Sequence, residues 1–201
     1  MNPEGITKAE KTKKYIIRKT APIFNKKGYA GTSISDLTEA TGLTKGSIYG
    51  NFENKDEVAL CAFRHNAESI IMIIDNEITR ATAFIDKLLV YPRLYRNIAS
   101  HIISFGGCPI LNTLVESDDT HAELRKEALK IITMWKKMIV SLIGQGKEAG
   151  EIRDDADPEK TAEFMISIVE GSVGMTKATG QVSFVMHSME YLEKAILELR
   201  A

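Results

Sequence analysis

One stretch, Thr32 to Lys55 (TSISDLTEATGLTKGSIYGNFENK), constrains the fold of this 201-residue chain more than any other. It carries start and stop signals for two short helices joined by a tight turn, with a third helix beginning at once. Ser33 is placed to cap the first helix, and Asp36 at N3 makes an acidic variant of the capping box. Ile34 and Leu37 share one face of that helix, and small Ala40 on the same side permits a close crossing. Gly42 follows its last turn, where a left-handed cap favours glycine. Leu43 supplies an apolar plug after the turn, and Thr44 is a good N-cap for the second helix. Ile48 and Phe52, four apart, share that helix's inner face. Asn54 caps the third helix, with Glu57 at N3. This is the layout of a helix-turn-helix, whose second helix enters the DNA major groove. A plain helical hairpin carries the same local signals.

The outward face of the second helix bears on that choice. It holds Gly46 and Gly50, flanked by Ser47 and Tyr49. Each glycine weakens a helix by roughly 1 kcal/mol relative to alanine. A bare face makes sense where the backbone must press on something, here a groove. Lys45, Ser47 and Tyr49 can donate to phosphates or base edges. Lys55 sits in the first turn of the third helix, where free N–H groups also favour a phosphate. The net charge of −1 argues against nucleic acid until the chain is divided. Residues 1–55 hold ten Lys/Arg against five Asp/Glu, so a basic segment sits on an acidic remainder. Lys8, Lys11, Lys13, Lys14, Lys26 and Lys27 supply most of the excess, as phosphate binding requires. The plain reading of these lysines is a solvated helix face.

Residues 8–60 resemble the DNA-binding domain of TetR-family transcriptional regulators. The resemblance rests on Thr32-Ser33-Ile34-Ser35-Asp36-Leu37-Thr38, Gly42-Leu43, Lys45-Gly46-Ser47-Ile48-Tyr49, Phe52 and Lys55 followed by an acid. A first helix ending Phe24-Asn25-Lys26-Lys27-Gly28-Tyr29 fits as well. It implies DNA contacts from Thr32, Ser33, Thr44, Lys45, Gly46, Ser47, Tyr49, Gly50, Asn51 and Lys55. Gly50 departs from the family, which often places a large aromatic or histidine there. Pro22 lies inside the first helix, where it removes a backbone bond and is a candidate kink.

Helical periodicity is nearly continuous from Asp56 onward, and no strand-type alternation appears. Helices are expected at about 55–80, from 83 to before Gly106-Gly107 with a break near Pro92, 110–116, 119 or 120 to 147, 158–178 and 182–200. The fold class is therefore all-α, about nine helices, with a DNA-binding domain at 1–54 and a helical effector-binding and dimerisation domain at 55–201. This body resembles the corresponding region of TetR-family regulators through Gly107-Cys108-Pro109-Ile110, Glu116, Leu124-Arg125, Trp135 and Gly150-Glu151-Ile152. The resemblance implies a homodimer built on the last two helices. Phe164, Ile168, Val173, Val185, Tyr191, Leu192 and Ile196 are candidates for the buried stripe, with Gly171 and Gly174 allowing close approach. Intrachain packing of the same residues is the alternative. It also implies a small-molecule effector among the middle helices, where Tyr95, His101, Phe105, Cys108, Met134, Trp135 and Met138 are candidate lining residues. The function expected is a repressor released from a double-stranded DNA operator by that effector.

Other chemistry finds little support. His65, His101, His121 and His187 lack metal-ligand spacing, and no cofactor or metal is expected. Gly144-x-Gly146-x-x-x-Gly150 has the wrong spacing for a dinucleotide loop and follows no strand. Cys108 after two glycines is a candidate reactive thiol, and His101 a conceivable partner, but no third residue orients them. No catalytic residue is assigned. The two cysteines make no disulfide framework, the N-terminus lacks an apolar leader and no run approaches a membrane span, so a cytoplasmic protein with free thiols is expected.

Overall fold

The computed structural model describes residues 7–201; residues 1–6, which bear on the absence of a leader and on the start of the first domain, lie outside the described residues. Ten helices follow in order: α1 (Lys8–Gly31), α2 (Ile34–Thr41), α3 (Lys45–Tyr49), α4 (Lys55–Arg80), α5 (Phe84–Asn97), α6 (Ala99–Phe105), α7 (Pro109–Ser117), α8 (Ala122–Glu148), α9 (Pro158–Thr179) and α10 (Ser183–Leu197). Among the described residues the only extended pairing is one bridge between Ile152 and Arg200, which pins the C-terminus to the loop after α8.

The helix ends follow local chemistry. Thr7 and Glu10 form a capping box on α1, and Ser33 with Asp36 forms the expected one on α2. Gly42 closes α2 at φ +66°, a backbone region that glycine enters without penalty. Asn54 Oδ1 accepts from the Glu57 N–H at 2.9 Å to open α4. Pro158 occupies the first turn of α9 behind the Asp157 cap.

Two expected breaks fall elsewhere. Pro22 stays inside α1, exposed to solvent, and the helix departs from helical geometry at Gly28 instead (φ +75°, ψ 177°). The cause is Glu116 of α7, whose carboxylate accepts from the Tyr29 and Ala30 N–H groups at 2.8 and 2.9 Å. Likewise Pro92 lies buried within α5, and the chain breaks at Ile98, which separates α5 from α6. That extra break is why the described residues hold ten helices rather than nine.

Two apolar cores result. Ile16, Phe24, Leu37, Ile48 and Phe52 pack with Val58, Ala59 and Ala62 of α4. The larger core starts at Phe63 and Ala67 on the same helix and is filled from α5, α8, α9 and α10. Helix α4 therefore belongs to both cores, and its N-terminus carries Lys55. No helix among the described residues is long and apolar enough to cross a membrane.

Candidate nucleic-acid interface and effector cavity

Helix α3 is shorter than expected and ends at Tyr49, so Ile48 anchors its inner side while Phe52 packs into the same core from the loop beyond it, both almost fully buried. Thr44 Oγ1 accepts from the Ser47 N–H at 3.1 Å, fixing the start of the helix. Lys45, Gly46, Ser47 and Gly50 are exposed together, with Tyr49 and Asn51 half-buried at the edge. Asn51 Nδ2 donates to the Ser47 carbonyl at 2.9 Å. Ser33 is exposed at the start of α2, and its Oγ donates to Asp36 at 2.8 Å. Thr32 departs from expectation: it is 1% exposed, and its hydroxyl donates to the Gly28 carbonyl at 2.6 Å. It closes the turn after α1 and is out of reach of a ligand in solution.

Gly46 has no internal reason to be glycine, whereas a Cβ on Gly50, the C-cap of α3, would meet the Gly46 carbonyl oxygen at 3.3 Å. A Cβ on Gly46 would meet nothing nearer than Thr44 Oγ1 at 4.0 Å. Neither Gly46 nor Gly50 has positive φ. Gly46→Ala should therefore raise helix stability by about 1 kcal/mol while weakening DNA binding. A melting curve and a DNA titration on the same variant check both halves.

Part of the basic charge is already committed. Lys13 pairs with Glu57 at 2.6 Å, and Lys27 with Asp36 at 2.6 Å. Lys27 and the Ser33 cap hold the Asp36 carboxyl down to about 2. Lys55 Nζ stands 4.3 Å over the Tyr29 ring. The Tyr29 hydroxyl donates to Asp56, and that bond, with burial, pushes its phenol up to about 12.

Tyr29 also marks the joint with the rest of the molecule. The His121 ring meets it edge-on at 4.7 Å, and His121 Nε2 lies 3.8 Å from Asp56. Asn25 Nδ2 donates to the Phe105 carbonyl at 2.7 Å. Asn112 Nδ2 donates to Asn25 Oδ1 at 2.9 Å and to the Gly106 carbonyl at 2.7 Å. With the Glu116 carboxylate, these bonds tie the end of α1 to α6 and α7.

Among α4, α5, α7 and α8 lies a cavity with a free volume of about 50 Å³. Four expected lining residues, Tyr95, Met134, Trp135 and Met138, come together there. His101 and Phe105 do not line it. They lie on the exposed side of α6, because Ala99 and Ile102 take its inner side. Cys108 is buried nearby, and its Sγ donates to Glu170 Oε1 at 3.1 Å. Burial and the neighbouring carboxyl push the thiol well above its ordinary value, so it is not a poised nucleophile. His101 is exposed on α6 while the Cys108 thiol is buried against Glu170, and no contact joins the two. Two lining residues escaped the sequence reading, Tyr91 and Asp75, and so did Glu170, which is buried against Cys108 outside the lining. The signal for Glu170 was a lone acid in the apolar run of α9. Burial pushes its carboxyl up to about 7.

The α9–α10 stripe divides. Val173, Val185, Leu192 and Ile196 are at most 1% exposed, so they fill the protomer's own core and are unavailable to a partner. Gly174 is likewise used internally, since a Cβ there would meet Leu111 at 3.2 Å. Phe164 and Tyr191 are 47% and 69% exposed, and Ile168 is half-buried. Phe164, Ile168, Gly171 and Met175 follow one another at helical spacing on one side of α9.

Residues 16–60 match the family described as bacterial regulatory proteins, tetR family. Residues 85–192 match the tetracyclin repressor-like C-terminal domain. A TetR-family transcriptional regulator from Cytophaga hutchinsonii is 43% identical over 98% of this chain and 99% of its own, with a TM-score of 0.93. A TetR transcriptional regulator from Chloroflexus aurantiacus J-10-FL is 34% identical over 96% of this chain and 98% of its own, with a TM-score of 0.90. The HTH-type transcriptional repressor DhaR of Mycobacterium sp. (strain GP1) is 28% identical over 80% of each chain.

Proposed function

The chain belongs to the TetR family of bacterial regulatory proteins, and we propose that it represses transcription as a homodimer that a small molecule releases from its operator. It is a DNA-binding transcriptional regulator, not an enzyme. The observation that carries the release mechanism is the path of α4. This helix begins at Lys55 beside α3, runs through both cores and lines the cavity with Ile70 and Ile74.

A second connection runs through α7. Ile110 lines the cavity, and Glu116 on the same helix holds the Tyr29 and Ala30 amides. Pockets for drug-sized ligands occupy roughly 300–1,000 Å³. The cavity is far smaller, so a ligand enters only by moving its walls. Displacing α4 and α7 shifts the DNA-binding head and changes the spacing of two α3 helices across the dimer. The ligand acts by binding the shifted state more tightly than the DNA-competent one.

In this reading Lys45, Ser47, Tyr49 and Lys55 contact DNA, with Gly46 and Gly50 admitting the backbone to the groove. Phe164, Ile168 and Tyr191 face the partner. The protein acts in the cytoplasm, where its operator is. The test is genetic: deleting the coding sequence should raise transcription of the adjacent operon several-fold, with restoration by the intact gene. A fall on deletion would make it an activator.

A further inference from the structure

The cavity's polar groups specify a kind of ligand, and this inference rests on reading that cavity as the effector site. Among the described residues that line it, Asp75 is the only one to carry charge. Tyr91 and Trp135 stack in its wall, with ring centroids 5.9 Å apart and planes at 26°. Trp135 is 8% exposed, and its indole N–H lies beside the Tyr91 hydroxyl without finding an acceptor at hydrogen-bonding geometry. The Tyr91 hydroxyl is turned toward Met138 Sδ at 3.5 Å. Tyr95, also in the wall, is close enough to Glu170 for that carboxyl to act on its phenol. Glu170 Oε1 is taken by Cys108, but Oε2 is buried with no partner.

We propose that this cavity takes a hydrophobic organic cation, an aromatic ring bearing a protonated amine. Aromatic faces attract a cation through their ring quadrupoles. Asp75 supplies negative charge in the lining, the Glu170 carboxyl stands behind Tyr95, and none of the described lining residues is basic. An anionic ligand would meet these carboxyls with no counter-charge, which is costly away from water. Met134 and Met138 are the movable wall, because unbranched thioethers repack easily around a ring.

Trp135 is the only tryptophan in the chain and sits in the wall, so its fluorescence reports occupancy directly. Phenylbutylamine, phenylbutanol and phenylbutyrate share a skeleton and differ in charge. Titrated at neutral pH, the amine should bind about tenfold or more tighter than the alcohol, and the carboxylate should not saturate. Asp75→Asn and Glu170→Gln should each narrow the gap between amine and alcohol. Asp75 is exposed, so its variant tests the point even if Glu170→Gln folds poorly. Equal or tighter binding of the alcohol or carboxylate overturns the proposal, as does no response to any of the three. Release of operator DNA is followed in the same samples. An amine that binds tightest yet leaves DNA bound supports the cation site and overturns the effector reading beneath it. An alcohol that binds best and releases DNA overturns the charge class and leaves that reading standing.

Discussion

Gly28→Val should unfasten the DNA-binding head while leaving the helical body folded. Gly28 sits at φ +75° and ψ 177°, a region nearly closed to residues with a side chain. A Cβ there would stand 2.4 Å from Glu116 Oε2, so the carboxylate must leave. Leaving breaks its bonds to the Tyr29 and Ala30 N–H groups. Backbone strain of roughly 1–3 kcal/mol adds to about 1.5–3 kcal/mol for each charged hydrogen bond lost. Several kcal/mol is a large part of any domain's stability. A new early transition should appear in thermal melts, and DNA affinity should fall at least a hundredfold. Glu116→Ala should cost less, because the backbone strain is then absent. In the double variant the two effects should add to less than their sum, since they share one contact. A Gly28→Val protein that melts like wild type and binds DNA normally would contradict the described joint.

The second large effect separates two stripes of α9 and α10. Phe164→Asp with Tyr191→Asp places charge on the outward stripe, where both side chains are half-exposed or more. The folded protomer should survive, because nothing buried is touched. The dimer should not, since a charge at the centre of an apolar interface is strongly disfavoured. With one recognition helix per particle, a second half-site no longer adds to binding, and affinity should fall by about two orders of magnitude. Val185→Asp is the contrast: Val185 is fully buried, so a carboxylate there should unfold the protomer. Sedimentation and melting of the two variants separate the cases. Unfolding of the Phe164/Tyr191 variant, or an intact dimer, would overturn the assignment of that face.

These expectations also show what was readable from residues alone. The caps at Ser33, Thr44 and Asn54 lie within three residues of what they bind, so local rules find them. Gly42 was readable for the same reason. The Gly28 break was not, because its cause is a carboxylate 88 residues away in the chain. Thr32 followed from it: once the helix breaks there, its hydroxyl is drawn to the Gly28 carbonyl and away from DNA. Helical period identified the apolar faces of α9 and α10. It cannot say which face meets its own chain, and the inward stripe is the more apolar of the two. His101 and Phe105 failed because α6 is a separate helix with its own inner side, set by the break at Ile98. The cavity was half-readable: Trp135, Met134 and Met138 fall on one side of α8, whereas Tyr91 and Asp75 come from helices whose approach no local pattern records.

The central claim is that the face of α3 and Lys55 binds DNA and that the bound state depends on what fills the cavity. Fluorescence anisotropy on the intergenic duplex beside the protein's own gene, titrated across salt with a scrambled duplex as control, tests it most directly. The account predicts tight binding to the intergenic duplex alone, with affinity falling steeply as salt rises because lysines displace counterions from phosphate. Equal affinity for both duplexes, or no binding to either at low salt by protein freed of any co-purified ligand, would contradict it.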